Sequence, residues 1–386
     1  MPKYTIQELH EMQSMPLSIK VNMTENRIRS WVDKYGIDGV YVSFSGGKDS
    51  TVLLNIVRKL YPKVLAVFVD TGLEYPEIRE FVRTFDNVKW IKPKKSFRQI
   101  IMEDGYPFIS KEVSDKVQGA RRYLKSLNKK SGMAKKPVYA PFMADILGID
   151  RRNNKKNPEY QDLLKGNIPN EPIGYQCLMG TCQNKDGNLS KYNISKWKFL
   201  LDAPFEISAR CCRIMKKSPA HSFSHKSGRK PMTAQMASES RLRTQLWLKN
   251  GCNGFDMVEP VSNPMSFWTD QDVLLYIKEH NLPICSVYGD IVEVDGKTVP
   301  IQDSDMMELF DLDRPFLATT GCNRTGCMFC GYGCHLEKPG EGRFIRMKKT
   351  HPKLYDYIMR PIEEGGLNYK QIIDWLNEHG GLHIEY

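Results

Sequence analysis

The 386-residue chain lacks any uninterrupted apolar run approaching the roughly 20 residues that a membrane-spanning helix needs, so no membrane association is expected. Its first residues, Met1-Pro2-Lys3-Tyr4-Thr5-Ile6, lack the apolar core of a secretory signal, and the expected location is cytoplasmic. Internal repeats are absent. Without an export signal, the ten cysteines are not read as structural disulfides. In a reducing compartment they read as metal ligands or reactive thiols. Six of them stand in two tight groups, Cys211 with Cys212, and Cys322, Cys327, Cys330 and Cys334.

Acidic residues are the minority charge, and the formal net charge is +11 with a pI near 9.0. Residues 111–157 hold thirteen Lys/Arg against four Asp/Glu, so one stretch carries most of the surplus. Such a patch suits a polyanion, DNA or RNA, or an extended phosphate ligand. The plain alternative is a solvated loop.

Residues 1–35 read as an N-terminal helical segment. After it, Gly39 to Phe44 is β-rich, Thr51 to Val57 has helical apolar spacing, and Val64 to Val69 reads as a buried strand. Tyr75 to Phe85 is helical again, and Val88-Lys89-Trp90-Ile91 is a third strand. Strand and helix in alternation predict an α/β fold, a parallel sheet with helices on both faces. Ligands of such sheets bind beyond the carboxyl ends of the strands, where Ser45 and Asp70 fall.

The expected organisation is a nucleotide-binding domain over 36–110 and 200–290, interrupted by a basic insertion at 111–199. A Cys-rich module at 315–345 and a helical tail at 346–386 follow. Gln271 to Lys278 reads as a helix capped by Thr269 or Asp270. Residues 290–302 read as a hairpin around Asp295-Gly296. The pair Cys177 and Cys182 lies in the insertion and is a weak metal signal alone. Cys252 and Cys285 read as small core residues.

The segment Ser45-Gly46-Gly47-Lys48-Asp49-Ser50 follows a strand and opens a helix. Its glycines let the backbone turn tightly and approach an anion. The helix-start amides and dipole favour phosphate. Lys48 adds a mobile positive charge, Ser45 and Ser50 add hydroxyls, and Asp49 suits Mg²⁺ or a helix cap. The segment is not a Walker A loop, which needs Gly-x4-Gly-Lys-Ser/Thr. It resembles the PP-loop of the ATP pyrophosphatase superfamily, the adenine nucleotide alpha hydrolases. The resemblance implies ATP cleaved between the α- and β-phosphates, with Mg²⁺.

Val69-Asp70-Thr71-Gly72-Leu73-Glu74-Tyr75-Pro76-Glu77 resembles the Asp-Thr-Gly…Pro-Glu signature of the phosphoadenosine phosphosulfate (PAPS) reductase family. Asp70 stands where a carboxylate meets ribose, adenine or metal. Cys211-Cys212-Arg213 to Pro219 resembles that family's Cys-Cys…Lys…Pro segment. Ala234 to Arg243 resembles its Gly-x-Arg…Glu-Ser-x-x-Arg segment, with Met236 near the place of the first arginine. Pro264 to Val273 resembles its Pro…Trp-Thr-x-x-Asp-Val helix. The resemblance covers roughly 38–110 and 200–335. It implies nucleotide contacts from Ser45 to Ser50 and from Asp70, Thr71, Gly72 and Arg243. It implies Lys48, Asp49, Asp70 and Arg241 as the catalytic set. Arginine clamps phosphate bidentately. Two residues apart on a helix, Arg241 and Arg243 do not share a face.

By the same resemblance, Cys211, Cys212, Cys327 and Cys330 match the ligands of a [4Fe-4S] cluster, with Cys322 and Cys334 as alternates. Zn²⁺ suits the same thiolates. His335 follows Cys334 in an order unlike the reductase tail, so Cys334 is not assigned as a reductase nucleophile.

Three functions follow as expectations. The first is ATP-dependent, AMP- and pyrophosphate-forming adenylation of an acceptor, then sulfur transfer. Nucleic acid is the expected acceptor and a cysteine desulfurase the expected sulfur donor. In character this is similar to the DNA phosphorothioation sulfurtransferase, and Lys48 favours it. The second is a sulfonucleotide reductase acting on PAPS or APS, favoured by the cysteine pattern and the Asp-Thr-Gly motif. The third is a nucleotide- or redox-sensing regulator. The acceptor, the donor and the oligomeric state are not legible.

Overall fold

The structure is a computed structural model that describes residues 2–128, 144, 149, 157–164, 171–294 and 316–386. The chain forms two compact units: Met1–Lys94 with Ile214–Met328, and Lys95–Arg213 with Phe329–Tyr386. This division differs from the expected one. Residues 95–110, expected in the nucleotide-binding domain, belong to the second unit, and the Cys-rich segment divides after Met328. Packing explains the shift. Helix Phe97–Asp104 is tied to the second unit by an ion pair between Arg210 and Asp104.

In chain order the strands are β1 Val40–Ser43, β2 Ala66–Val69, β3 Val88–Ile91, β4 Phe108–Ile109, β5 Lys230–Met232, β6 Asn253–Gly254, β7 Val261–Ser262, β8 Ile291–Val294, β9 Phe316–Thr319 and β10 Gly331–Tyr332. The first unit contains a six-stranded sheet of order β3-β2-β1-β5-β7-β6. Every neighbouring pair is parallel except β6 with β7. From β1 the chain continues to β2 on one side, while the later strand β5 pairs on the other. That reversal of order is where open parallel sheets hold ligands. Val40, Tyr41 and Val42 are all buried, as a central strand covered on both faces requires.

Flanking helices supply the apolar cover. Lys48–Leu60 buries Val52, Leu53, Ile56 and Val57. The N-terminal helix Leu17–Tyr35 is part of this core, burying Ile28 and Trp31. It is pinned to helix Asp270–Glu279 through Lys20, whose ammonium donates to both oxygens of Asp272 at 2.8 and 2.7 Å. The Trp268 indole donates to Thr24 at 2.9 Å. Thr269 caps helix Asp270–Glu279 in a reciprocal box with Asp272.

Of the hairpin expected over 290–302, the Asp295-Gly296 turn and the returning strand lie outside the described residues; its first strand, β8, pairs antiparallel with β9.

The second unit is mostly helical, with Lys111–Asn128, Ile173–Met179, Arg343–Thr350, Pro352–Met359 and Tyr369–Gly380 among its elements. Within the expected insertion, the basic stretch begins as helix Lys111–Asn128, and nearly all of 129–157 lies outside the described residues. β4 and β10 form a short parallel ladder. A Cβ at Gly331 would meet the Phe108 ring at 2.6 Å, so the close pairing requires glycine. Tyr369 is fully buried and donates to the Phe329 carbonyl at 2.5 Å. Among the described residues no helix is long and apolar enough to cross a membrane.

Candidate functional site

The candidate site lies in the first unit, at the carboxyl end of β1. Gly46 takes φ +72°, and a Cβ there would meet Val82 and Ile78 at 2.7 and 2.9 Å. Only glycine lets the chain turn here while pressed against helix Pro76–Arg83. The two serines build the turn. Ser50 Oγ accepts from the Ser45 amide at 3.2 Å and donates to the Gly47 carbonyl at 2.9 Å. The Gly47 amide donates to Ser45 Oγ at 3.3 Å.

Lys48 departs from the expected mobile charge. It is buried, and its ammonium bonds Asp49 at 2.9 Å and also Asp270. Burial works against the ammonium, but the two carboxylates outweigh it and hold the pKa above the ordinary lysine value. The Lys48 amide donates to the Tyr288 hydroxyl at 3.1 Å, and that hydroxyl lies 2.7 Å from Thr325 Oγ1. Burial pushes Tyr288 up to about 12 against the opposing pull of its Thr325 and Lys48 hydrogen bonds, so it stays a neutral hydroxyl.

Asp70 ends β2 almost wholly buried. One oxygen accepts from Arg79 at 3.0 Å, and the other is buried without a partner among the described residues. An orphaned carboxylate oxygen at a strand end is a ready seat for a ligand hydroxyl, amine or cation. Thr71 turns inward, its hydroxyl donating to Glu74 at 2.6 Å, and Gly72 supplies φ +73° for the turn. In this structure Thr71 and Gly72 shape the turn that presents Asp70.

The two motif arginines diverge, as their spacing requires. Arg241 is exposed at the start of helix Arg241–Asn250. Arg243 is half-buried, pairs with Glu239 and feels the charge of Asp49. Burial and the nearby Arg324 lower its pKa. Of the two, Arg243 is the one that feels the charge of the phosphate loop's Asp49. Met236 is buried, and its amide donates to Glu239 at 2.9 Å. A cavity of about 100 Å³ opens beside Arg243 and Met236. The Trp247 indole N–H at its wall has no partner among the described residues.

Sequence reasoning missed Tyr288, Thr325, Arg324 and Arg79. It read Asp270 only as a cap. Tyr288 carries no motif, and Arg324 and Thr325 lie in a loop read only for its cysteines. Asp270 sits inside the Trp-Thr-x-x-Asp-Val segment and was the accessible clue.

Asp49 and Asp270 offer the one or two carboxylates by which Mg²⁺ joins a nucleotide's phosphates, so these residues fit that ion.

The cysteines are divided. Cys322, buried in the first-unit core, and Cys327 belong to the first unit, whereas Cys211, Cys212, Cys330 and Cys334 belong to the second. Within the second unit, the Tyr332 hydroxyl donates to the Ser208 carbonyl at 2.9 Å, which ties the 330–334 turn to the segment leading into Cys211. Burial raises Cys330, and pushes Cys334 up to about 12. The Cys334 thiol donates to the Gly331 carbonyl at 3.0 Å. Among the described residues, no three His, Cys, Asp or Glu side chains converge to hold a metal ion. Within the second unit, Cys330 feels the charge of Cys212, and the expected set of Cys211, Cys212, Cys327 and Cys330 has the donor chemistry of a cluster. Cys177 and Cys182 touch each other, and Cys252 and Cys285 are buried core residues.

A glycine-hinged phosphate turn at the end of the first strand of a parallel sheet, with a carboxylate at the end of the second, defines an adenine-nucleotide protein of the PP-loop, alpha hydrolase type. The family described as phosphoadenosine phosphosulfate reductase domain matches residues 39–133 and 180–332, more than half of the chain. The chain belongs to the PAPS reductase family of enzymes.

An uncharacterised protein of Methanocaldococcus jannaschii is 25% identical over 121 residues, covering 30% of this chain and 29% of that one. Phosphoadenosine 5'-phosphosulfate reductases from two strains of Xylella fastidiosa are 28% identical over 93 residues, covering 23% of this chain and 39% of theirs. The chain thus spans less than half the length of these curated relatives. Among solved structures, the phosphate complex of phosphoadenylyl-sulfate reductase from Candida auris aligns with a TM-score of 0.33 at 13% identity. That alignment covers 68% of this chain and 82% of the other.

Proposed function

We propose that the protein activates an acceptor with ATP and then passes sulfur to it, with nucleic acid as the acceptor class. The observation that carries this reading is Lys48, an ammonium buried between Asp49 and Asp270 at the phosphate turn. Two carboxylates beside that turn suit the Mg²⁺ that accompanies a triphosphate. The acceptor oxygen bonds to the α-phosphorus, and the bond from that phosphorus to the bridging oxygen breaks. Pyrophosphate leaves with the electron pair. A sulfur nucleophile, a persulfide supplied by a cysteine desulfurase partner, then displaces AMP and leaves the acceptor joined to the donor cysteine by a disulfide. A second thiol attacks the donor sulfur of that bond, which releases the thiolated acceptor, and the two cysteine sulfurs end as a disulfide that a thiol reductant restores. The orphaned oxygen of Asp70 is suited to orient the nucleoside. The positive 111–157 stretch supports a polyanionic acceptor. Thiolate-bound [4Fe-4S] or Zn²⁺ remains a proposal on donor chemistry alone.

A second reading is supported by the family match and by the names of the Xylella relatives: reduction of a sulfonucleotide to sulfite.

One assay separates the two. The purified chain is incubated with ATP, Mg²⁺ and nucleic acid, and AMP and pyrophosphate are quantified beside a Lys48→Ala control. Turnover that disappears in the variant supports the first reading. Sulfite release from PAPS with thioredoxin and no ATP supports the second.

A further inference from the structure

The phosphate turn's own lysine brings little free positive charge. Lys48 lies between two carboxylates, Asp49 and Asp270, so that trio sums to a net −1 and by itself repels an anion. A second trio carries the opposite balance. Glu239 holds two guanidiniums on its two oxygens, Arg243 on Oε2 and Arg324 at 3.7 Å on Oε1, and this second trio sums to +1. Arg243 feels Asp49 of the phosphate turn. Arg324 is followed by Thr325, whose hydroxyl is 2.7 Å from Tyr288, the residue that caps the Lys48 amide. A Cβ at Gly47 would meet Thr325 Oγ1 and the Tyr288 hydroxyl at 3.2 Å each, so this segment sits directly against the turn.

Glu239 also accepts from the amide of Met236, near the place where the resembling motif carries arginine. Met236 is buried and brings no charge. Arg324, reaching the same carboxylate from the Cys322–Cys327 loop, brings a second guanidinium beside it.

We propose that Arg324, with Arg243, forms an anion subsite that grips a phosphoryl group of the bound nucleotide. This rests on the reading of the phosphate turn as a nucleotide site. The arrangement separates tasks by charge. The acidic trio at Lys48 is suited to a divalent cation, and the basic trio at Glu239 to the anion. Glu239 restrains both guanidiniums, so a ligand meets a fork that is already aimed. The Arg324 side chain is 59% exposed, leaving it reachable by ligand.

The test is calorimetric titration of the full chain, at two salt concentrations, with ATP, adenosine 3',5'-bisphosphate and adenosine. The variants are Arg324→Gln, Arg324→Lys and Lys48→Ala. Arg324→Gln is expected to weaken one or both phosphorylated ligands about tenfold or more, to leave adenosine unchanged, and to flatten the salt dependence. Which of the two ligands suffers identifies the group gripped. Arg324→Lys restores part of the loss. Because Arg324 is mostly exposed, the two Arg324 variants retain the fold, checked by thermal melting. If Arg324→Gln binds both phosphorylated ligands as wild type does, the subsite is refuted, while the nucleotide reading stands as long as wild type binds. If wild type binds neither, the subsite and the reading beneath it fall together.

Discussion

The Tyr288 hydroxyl accepts a hydrogen bond from the Lys48 amide at 3.1 Å, filling the place at the helix start that a phosphate oxygen would take. The phosphate turn is therefore self-satisfied: one first-turn amide is capped by a phenol, and the lysine is held by two carboxylates. A nucleotide must exchange these partners for its own oxygens.

This exchange makes Tyr288→Phe informative. The variant leaves the Lys48 amide unpaired and is expected to lose about 1 kcal/mol of stability, the net worth of one such bond. ATP no longer displaces a hydroxyl, so its affinity is expected to hold or to rise by up to about tenfold. Thermal melting and calorimetry read the two effects. Loss of ATP binding would mean that the phenol contacts the ligand itself.

Gly46 and Gly72 share nearly the same backbone, φ +72° and +73°, but not the same surroundings. A Cβ at Gly46 collides with Val82 and Ile78, while one at Gly72 meets nothing within 4 Å. Gly72→Ala is expected to cost about 1 kcal/mol from conformation alone. Gly46→Ala adds overpacking, for roughly 2–4 kcal/mol in all, and displaces the turn. Urea unfolding of both variants measures the difference. Equal costs would show that helix Pro76–Arg83 yields to the new methyl.

Much of this was legible in the chain. The alternation of strand and helix and the hexapeptide from Ser45 to Ser50 located the turn, because both are local signals. Residue spacing alone predicted that Arg241 and Arg243 would diverge. What stayed hidden came from chain-distant packing. Asp270 and Tyr288 reach the turn from more than 200 residues away, and no local pattern marks either as a partner of Lys48. Among the described residues β8 pairs with β9, a partner that the nearby Asp-Gly turn, a stronger local signal, obscured.

Alkaline pH gives a further prediction. Burial pushes Tyr106, Tyr276 and Tyr288 each up to about 12. A folded-state pKa above the unfolded value of about 10 means that the stabilisation is fully present below pH ~10. It is lost as pH rises through about 12, on the order of 2 kcal/mol for each buried phenol. Lys48, also raised, pulls in the same direction. Urea midpoints should be level from pH 7 to about 9 and fall steeply above ~10. Tyrosinate absorbance from these residues should appear with unfolding and not before it. Early ionisation of all tyrosines in a still-folded chain would contradict the burial argument.

Lys20 and Asp272 test whether a motif residue serves the fold or the chemistry. Asp272 lies in the Trp-Thr-x-x-Asp-Val segment, yet its oxygens are taken by Lys20 and by the amide and hydroxyl of Thr269. Both partners are buried, so Lys20→Met strands an uncompensated carboxylate and is expected to cost about 3–5 kcal/mol. Lys20→Met with Asp272→Leu removes both charges and is expected to recover most of that loss, short of the lost Thr269 cap, worth about 1 kcal/mol. Where each variant is still folded, ATP affinity should match wild type, because neither side chain touches Lys48, Asp70 or Arg243. A single variant as stable as the double would show that water reaches the pair. A folded double variant that no longer binds ATP would move Asp272 from the scaffold into the site.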